Sequence, residues 1–260
     1  MKVAIIGCGA IGGVVARAVR DGAVPEAELV GVVHAEPVDP PDLPVVDFRT
    51  ALEVADLVVE CAGQRALAEL GPSVVESAAD LLVVSVGALT DDALLHKLRD
   101  SGPGGLHLCT GAIGGLDLLA ATARGGGLDS VRIVTTKKAP ALVQRWMDAE
   151  QQERIRTATG PVELMRAPAR EVTAAFPSST NVAASVALAV GDWNKVEATV
   201  VADPDAPLTS HVISAEGSAG RYRFEICNQP SPENPTTSGV VPHAVLSAVA
   251  RLARRTGVFA

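Results

Sequence analysis

Short runs of aliphatic and β-branched residues recur at Val3–Ile6, Leu29–Val33, Leu57–Val59, Leu81–Val84 and Leu106–Cys109. They carry little polar alternation, so they read as strands buried on both faces. Between them, Val14–Asp21, Ala66–Ala79 and Asp91–Asp100 space their apolar residues at helical intervals, and a further helix is expected after Gly115. Strands alternating with helices in this rhythm predict a parallel, doubly wound sheet. Right-handed crossovers then bring the loops that follow the strands to one common edge.

The rhythm changes after Thr135. A polar segment, Gln144–Arg156, precedes Pro168–Ala175 and a helix of small residues, Asn181–Val190. Period-2 stretches follow at Val196–Val201, His211–Ala215 and Arg221–Ile226. In the last, Tyr222, Phe224 and Ile226 share one face and Arg221, Arg223 and Glu225 the other, which predicts a half-exposed antiparallel sheet. The final segment, Val240–Arg255, reads as a helix returning to the first domain. The chain is therefore expected to be α/β: a doubly wound Rossmann-type parallel sheet over residues 1–130, then a smaller α+β domain over 131–239, with helix 240–256 packed back on the first. An open sheet in the second domain can pack across a two-fold axis, so a homodimer is expected.

Composition narrows the function classes. The 260 residues carry 48% hydrophobic and 20% charged side chains, while aromatics make up only 3%, so the core must be built from Val, Ala, Leu and Ile. A net charge of −8 with no basic cluster argues against nucleic acid. The apolar runs are too short to span a membrane, and the N-terminus lacks the features of a targeting segment. Cys8, Cys61, Cys109 and Cys227 are widely separated, with no metal-ligand spacing. They are expected to be buried, reduced thiols of a cytoplasmic protein, and no metal site is expected.

Gly7-Cys8-Gly9-Ala10-Ile11-Gly12 is G-x-G-x-x-G between a strand and a helix. The first glycine permits the tight turn, the second lets a pyrophosphate approach the backbone, and the third lets helix and strand pack closely. Gly7, Gly9, Ala10, Ile11 and Gly12 are therefore the expected nucleotide contacts. An acidic residue normally ends the second strand and bonds the ribose hydroxyls. Here that strand ends in His34-Ala35-Glu36, and Glu36, the third residue past it, is poorly placed. Neither an acid for NAD nor an arginine for the NADP phosphate stands there, so either cofactor is admitted, with weak discrimination expected.

The blocks Val59-Glu-Cys-Ala62, Ser85-Val-Gly-Ala-Leu-Thr-Asp91, Thr110-Gly-Ala-Ile-Gly-Gly-Leu-Asp117 and Thr135-Thr-Lys-Lys138 resemble those of the L-aspartate dehydrogenases. So do Phe176-Pro-Ser-Ser-Thr-Asn-Val-Ala-Ala184, Asp203-Pro204, the strand at His211 and Asn234-Pro-Thr-Thr-Ser238, in family order over nearly the whole chain. The resemblance implies NAD(P)-dependent oxidation of L-aspartate to iminoaspartate, which hydrolyses to oxaloacetate and ammonia, or the reverse reductive amination. It suggests a supply of iminoaspartate for NAD synthesis, while aspartate catabolism or a specialised pathway fits equally well. It also implies His211 as catalytic acid/base, and Asn181 and the backbone at Ala112 as contacts to the nicotinamide portion.

Histidine suits such proton management because its pKa lies near working pH. Of the five histidines, His34 belongs with the adenosine end, His96 with a solvated helix face, and His243 with the surface start of the last helix. His107 reads as a core imidazole within a strand. His211 follows a polar turn and opens a strand, from which it is expected to project toward an active site between the domains. Asn181 also reads as a helix N-cap. A dianionic substrate requires positive or hydroxyl partners, for which Lys137, Lys138, Arg221, Arg223 and the Asn234, Thr236, Thr237 and Ser238 loop compete. The rival readings are a related dehydrogenase of another amino or 2-oxo acid, and a sensor that binds NAD without turnover.

Overall fold

The computed structural model describes residues 1–34, 42–177 and 179–254, so Glu36 lies outside the described residues. The chain forms two compact units, Met1–Gly111 with Val241–Ala260, and Ala112–Val240.

In the first unit five parallel strands stand in the order β2-β1-β3-β4-β5. They are β1 (Lys2–Ile6), β2 (Glu28–Val33), β3 (Leu57–Glu60), β4 (Asp80–Val83) and β5 (Leu106–Leu108). The crossovers contain α1 (Gly12–Arg20), α2 (Phe48–Val54), α3 (Gln64–Glu76) and α4 (Asp92–Asp100). Val3–Ile6, Leu57–Val59 and Leu81–Val83 are buried, as continuous aliphatic runs in a two-sided parallel sheet must be. The strand order reverses direction at β1, which lies between β2 and β3. In such sheets a ligand binds beyond the carboxyl ends of the strands at this switch point. Helix α2 was not foreseen; it is a seven-residue helix whose first turn is capped by Asp47 accepting the Thr50 N–H at 2.9 Å. Helix α9 (Val241–Ala253) packs on α1, and Arg254 pairs with Glu26 at 3.1 Å.

The second unit contains α5 (Leu116–Arg124), β6 (Ser130–Lys138), α6 (Ala149–Arg156), β7 (Val162–Pro168), α7 (Ala169–Ala175), α8 (Asn181–Val190), β8 (Val196–Asp203), β9 (Thr209–Gly217) and β10 (Gly220–Asn228). Its sheet runs β10-β9-β6-β8-β7, and it is mixed rather than antiparallel, because β6 and β8 pair in parallel. The connection from β6 to β8 passes through β7, α7 and α8, a crossover long enough to return the chain in the same direction. Strand β7 was not expected: it is an edge strand with a register shift between Glu163 and Met165, which blurs the period-2 signal. Helices α7 and α8 pack on β8, and α5 packs on α8. Ala183, Ala184 and Ala187 are buried, and their small side chains permit that close approach. Along β6 the same alternation buries Val131, Ile133, Thr135 and Lys137 on one face.

Candidate active site

The G-x-G-x-x-G turn caps β1 at the switch point. Gly7 holds φ +93° and donates its N–H to Val33 O at 2.9 Å. A Cβ on Gly7 would stand 2.9 Å from Ala62, in the turn after β3. One on Gly12 would run into the Gly7 carbonyl, so the third glycine is needed for α1 to start this close to β1. Gly9 is exposed, with nothing within 4 Å of where its Cβ would be, which leaves its backbone open to a ligand. Ile11 holds the N-cap position and supplies no side-chain acceptor to the first N–H groups of α1. A phosphate is the natural partner for such groups.

Around this turn lies a cavity of about 600 Å³, whose lining includes Gly7, Gly9, His34, Ala62 and Glu69. Its size suits a nucleotide. His34 stands where the motif places the adenosine end. Glu69, on α3, is a carboxylate that sequence reasoning missed, since the acid was sought only at the end of β2. A further missed group lies at the end of β3: Glu60 is fully buried, and burial raises its pKa against four hydrogen bonds that lower it.

In the second unit the buried face of β6 and β9 brings three polar side chains together. Register pairs Thr135 with His211, and Thr135 Oγ1 lies 3.1 Å from His211 Nδ1. Lys137, two residues further along the same face of β6, donates from Nζ to Thr236 O at 2.7 Å. His211 is 1% exposed and Lys137 5% exposed. Burial, reinforced by the Lys137 charge, lowers the His211 pKa to about 3, and burial lowers that of Lys137 to about 8. Two expectations are thereby corrected. His211 is the third residue of β9, inside the sheet rather than at its opening, and burial favours its neutral form over the near-neutral titration expected of a histidine.

Lys137 and Thr236 line a second cavity of about 460 Å³, with Lys138, Pro207, Leu208 and Thr209 also at its walls. The Asn234–Ser238 loop is tied to itself. Asn234 Oδ1 accepts the Thr236 N–H at 3.1 Å and its hydroxyl at 2.6 Å, and Ser231 N donates to Thr237 O at 2.7 Å. Ser238 is buried and bridges to Pro230. In this state Asn234 serves the turn.

Asn181 is the first residue of α8, and the N-cap position expected of it belongs to Thr180. Thr180 directs its hydroxyl to Phe176 O at 2.8 Å. The buried hydroxyl of Ser179, next before Thr180, finds no partner among the described residues. The Ala112 turn depends on left-handed glycines: Gly115 has φ +80°, and a Cβ there would press on the Phe224 ring at 2.6 Å. Ala112 O accepts from Asn228 Nδ2 at 2.8 Å, a buried bond that nothing in the pattern announced.

The remaining candidates separate from the site. Arg221 and Arg223 are exposed and pair with Glu216 at 3.6 Å and Glu225 at 3.1 Å. His96 and His243 are exposed. His107 is not a core imidazole: it lies on the edge strand β5, partly exposed, 3.2 Å from Asp80. All four cysteines are free thiols, but only Cys109 is buried and Cys227 is exposed, contrary to expectation. Cys227 alternates onto the open face of β10. Among the described residues no helix is long and apolar enough to cross a membrane, and no cluster has the makings of a metal site.

A parallel sheet carrying this glycine turn at its switch point defines an NAD(P)-binding oxidoreductase domain. The family model described as the homoserine dehydrogenase NAD-binding domain matches residues 7–103, and the one described as the aspartate dehydrogenase C-terminal domain matches residues 117–252. L-aspartate dehydrogenase of Methanopyrus kandleri is 36% identical over 97% of this chain and 96% of its own length. That of Ruegeria pomeroyi is 40% identical over 75% of this chain and 70% of its own. The crystal structure of aspartate dehydrogenase from Thermotoga maritima superposes with a TM-score of 0.76 at 25% identity, covering 100% of this chain and 99% of the other. The chain belongs to the L-aspartate dehydrogenase family, and its cofactor is NAD or NADP.

Proposed function

We propose that the chain oxidises L-aspartate with NAD or NADP to iminoaspartate, released after hydrolysis as oxaloacetate and ammonia, and runs the reverse reductive amination. The observation that carries this reading is the buried Thr135–His211–Lys137 face, which offers a neutral base beside a cation. When bound, the nicotinamide accepts the hydride that leaves the aspartate Cα.

Everything else falls to side chains. The base role requires His211 Nδ1–H to donate to Thr135 Oγ1, which leaves Nε2 as an acceptor for a proton from the substrate nitrogen or the attacking water. Lys137 Nζ has further donors beyond its bond to Thr236, and in a buried setting an ammonium–carboxylate bond is strong. We assign it to a substrate carboxylate, with Thr236 beside it and Asn234, Thr237 and Ser238 shaping the loop. Gly7, Gly9, Ala10, Ile11 and Gly12 hold the pyrophosphate, and Ala112 and Asn181 are assigned to the nicotinamide portion.

Half-exposed Val134, Val201 and Val212, on the sheet face opposite His211, support a homodimer that sedimentation would detect. The unpaired thiols support a cytoplasmic location. The deciding experiment follows reduced-nicotinamide absorbance with oxaloacetate and ammonia. Loss of absorbance with those substrates supports the reading. Turnover only with another 2-oxo acid, or cofactor binding with no turnover, overturns it.

A further inference from the structure

Beside the nucleotide cavity lies an acidic group that takes no part in the proton or hydride steps. Glu60 ends β3 and is 0% exposed. Its Oε1 accepts the N–H groups of Ala62 and Gly63, each at 2.8 Å, and the Ser85 hydroxyl at 3.0 Å. Its Oε2 accepts the Ser85 N–H at 3.0 Å. Four donors converge on this side chain, and a carboxylate answers them all because it only accepts.

The groups it holds border the cavity. Ala62 lines it and sets the limit on Gly7, where a Cβ would come within 2.9 Å. Gly63, at φ +106°, turns the chain into α3, and Ser85 opens the Val86–Thr90 segment after β4, buried through Leu89. One carboxylate therefore ties the turn after β3 to the loop after β4, on the sheet edge that carries the glycine turn. A structural filler would need no such match, since an apolar side chain could occupy the space if the N–H groups were satisfied elsewhere.

Resting on the nucleotide reading of this cavity, we propose that Glu60 is a positioning residue for the cofactor: it holds the Ala62–Gly63 turn against the Gly7 turn and so sets the wall on which the nucleotide lies. Glu60→Gln keeps the size of the side chain but turns one acceptor into an NH₂ that faces N–H donors. The turn must then shift, because a buried donor cannot be left against another donor without cost.

The test titrates NADH into the wild-type and Glu60→Gln proteins by fluorescence, with melting temperature and steady-state kinetics on the same preparations. Expected is a loss of NADH affinity of about tenfold or more, with the cofactor KM rising in parallel and the oxaloacetate KM unchanged. Unchanged NADH affinity with a lower melting temperature makes Glu60 merely structural and overturns the inference. Should Glu60→Gln fail to fold, Ser85→Ala removes only the hydroxyl donor and is expected to weaken NADH about two- to fivefold; no weakening there likewise overturns it. A wild-type protein that binds no NADH overturns the nucleotide reading itself, and the inference with it.

Discussion

Thr135 and His211 face one another across the β6–β9 register, with Oγ1 and Nδ1 3.1 Å apart on the buried side of the sheet. His211→Ala is expected to lower turnover by about 10²–10⁴-fold, the usual contribution of a placed proton-transfer group, with little change in NADH affinity. Thr135→Val keeps the shape and removes the hydroxyl that bonds Nδ1, so turnover should fall by about tenfold. Stopped-flow turnover and NADH titration check both. Full turnover of His211→Ala in folded protein would remove the imidazole from the mechanism.

The burial of His211 has a consequence for stability against pH. Its pKa is lowered from 6.5 to about 3, so between these values the unfolded chain binds a proton that the folded chain does not. Stability must then rise with pH across this window and reach its full value above 6.5. Urea unfolding at pH 5 and pH 7.5 should show the wild type losing more stability on acidification than His211→Asn. Equal losses would contradict a neutral, buried imidazole.

Lys137, which lines the cavity of about 460 Å³, is proposed to hold a substrate carboxylate. Lys137→Met fills similar volume without charge and should raise the KM for oxaloacetate by about tenfold or more, since a carboxylate loses its charged donor. NADH affinity should hold. In the same variant His211 loses a neighbouring positive charge and its pKa should climb, which NMR titration of the imidazole would register. An unaltered oxaloacetate KM would return Lys137 to a purely internal role, bonded to Thr236.

Gly9 offers the cleanest test of the nucleotide cavity, because a side chain there meets no protein atom within 4 Å. Gly9→Val should leave the melting temperature nearly unchanged while a branched side chain takes the pyrophosphate space. Titration should show NADH binding weakened by at least about tenfold, or 1.4 kcal/mol. Undiminished binding would move the nucleotide elsewhere.

Some of this was legible in the chain itself. The five aliphatic strands, the glycine turn and the small-residue helix Asn181–Val190 stand where their patterns put them, because each is decided by neighbours a few residues apart. The central runs in β1, β3 and β4 are buried as expected, but the edge strands β2 and β5 are partly exposed, Leu108 by 39%, because each has a neighbour on one side only. The half-exposed face of β10 also showed in its alternation of Arg with Tyr and Phe.

What local pattern could not decide were the relations between distant segments. Whether β6 and β8 run parallel depends on the path of the crossover through β7, α7 and α8, which no period reveals. Burial of His211 beside Lys137, which lowers its pKa, comes from cross-strand register and from packing on that face of the sheet. The four donors around Glu60 come from two loops that only the sheet brings together, and Asn228 reaches Ala112 across more than a hundred residues of chain. The residue types were written in the sequence, while the dielectric and hydrogen-bond surroundings that set their chemistry exist only once the chain has packed.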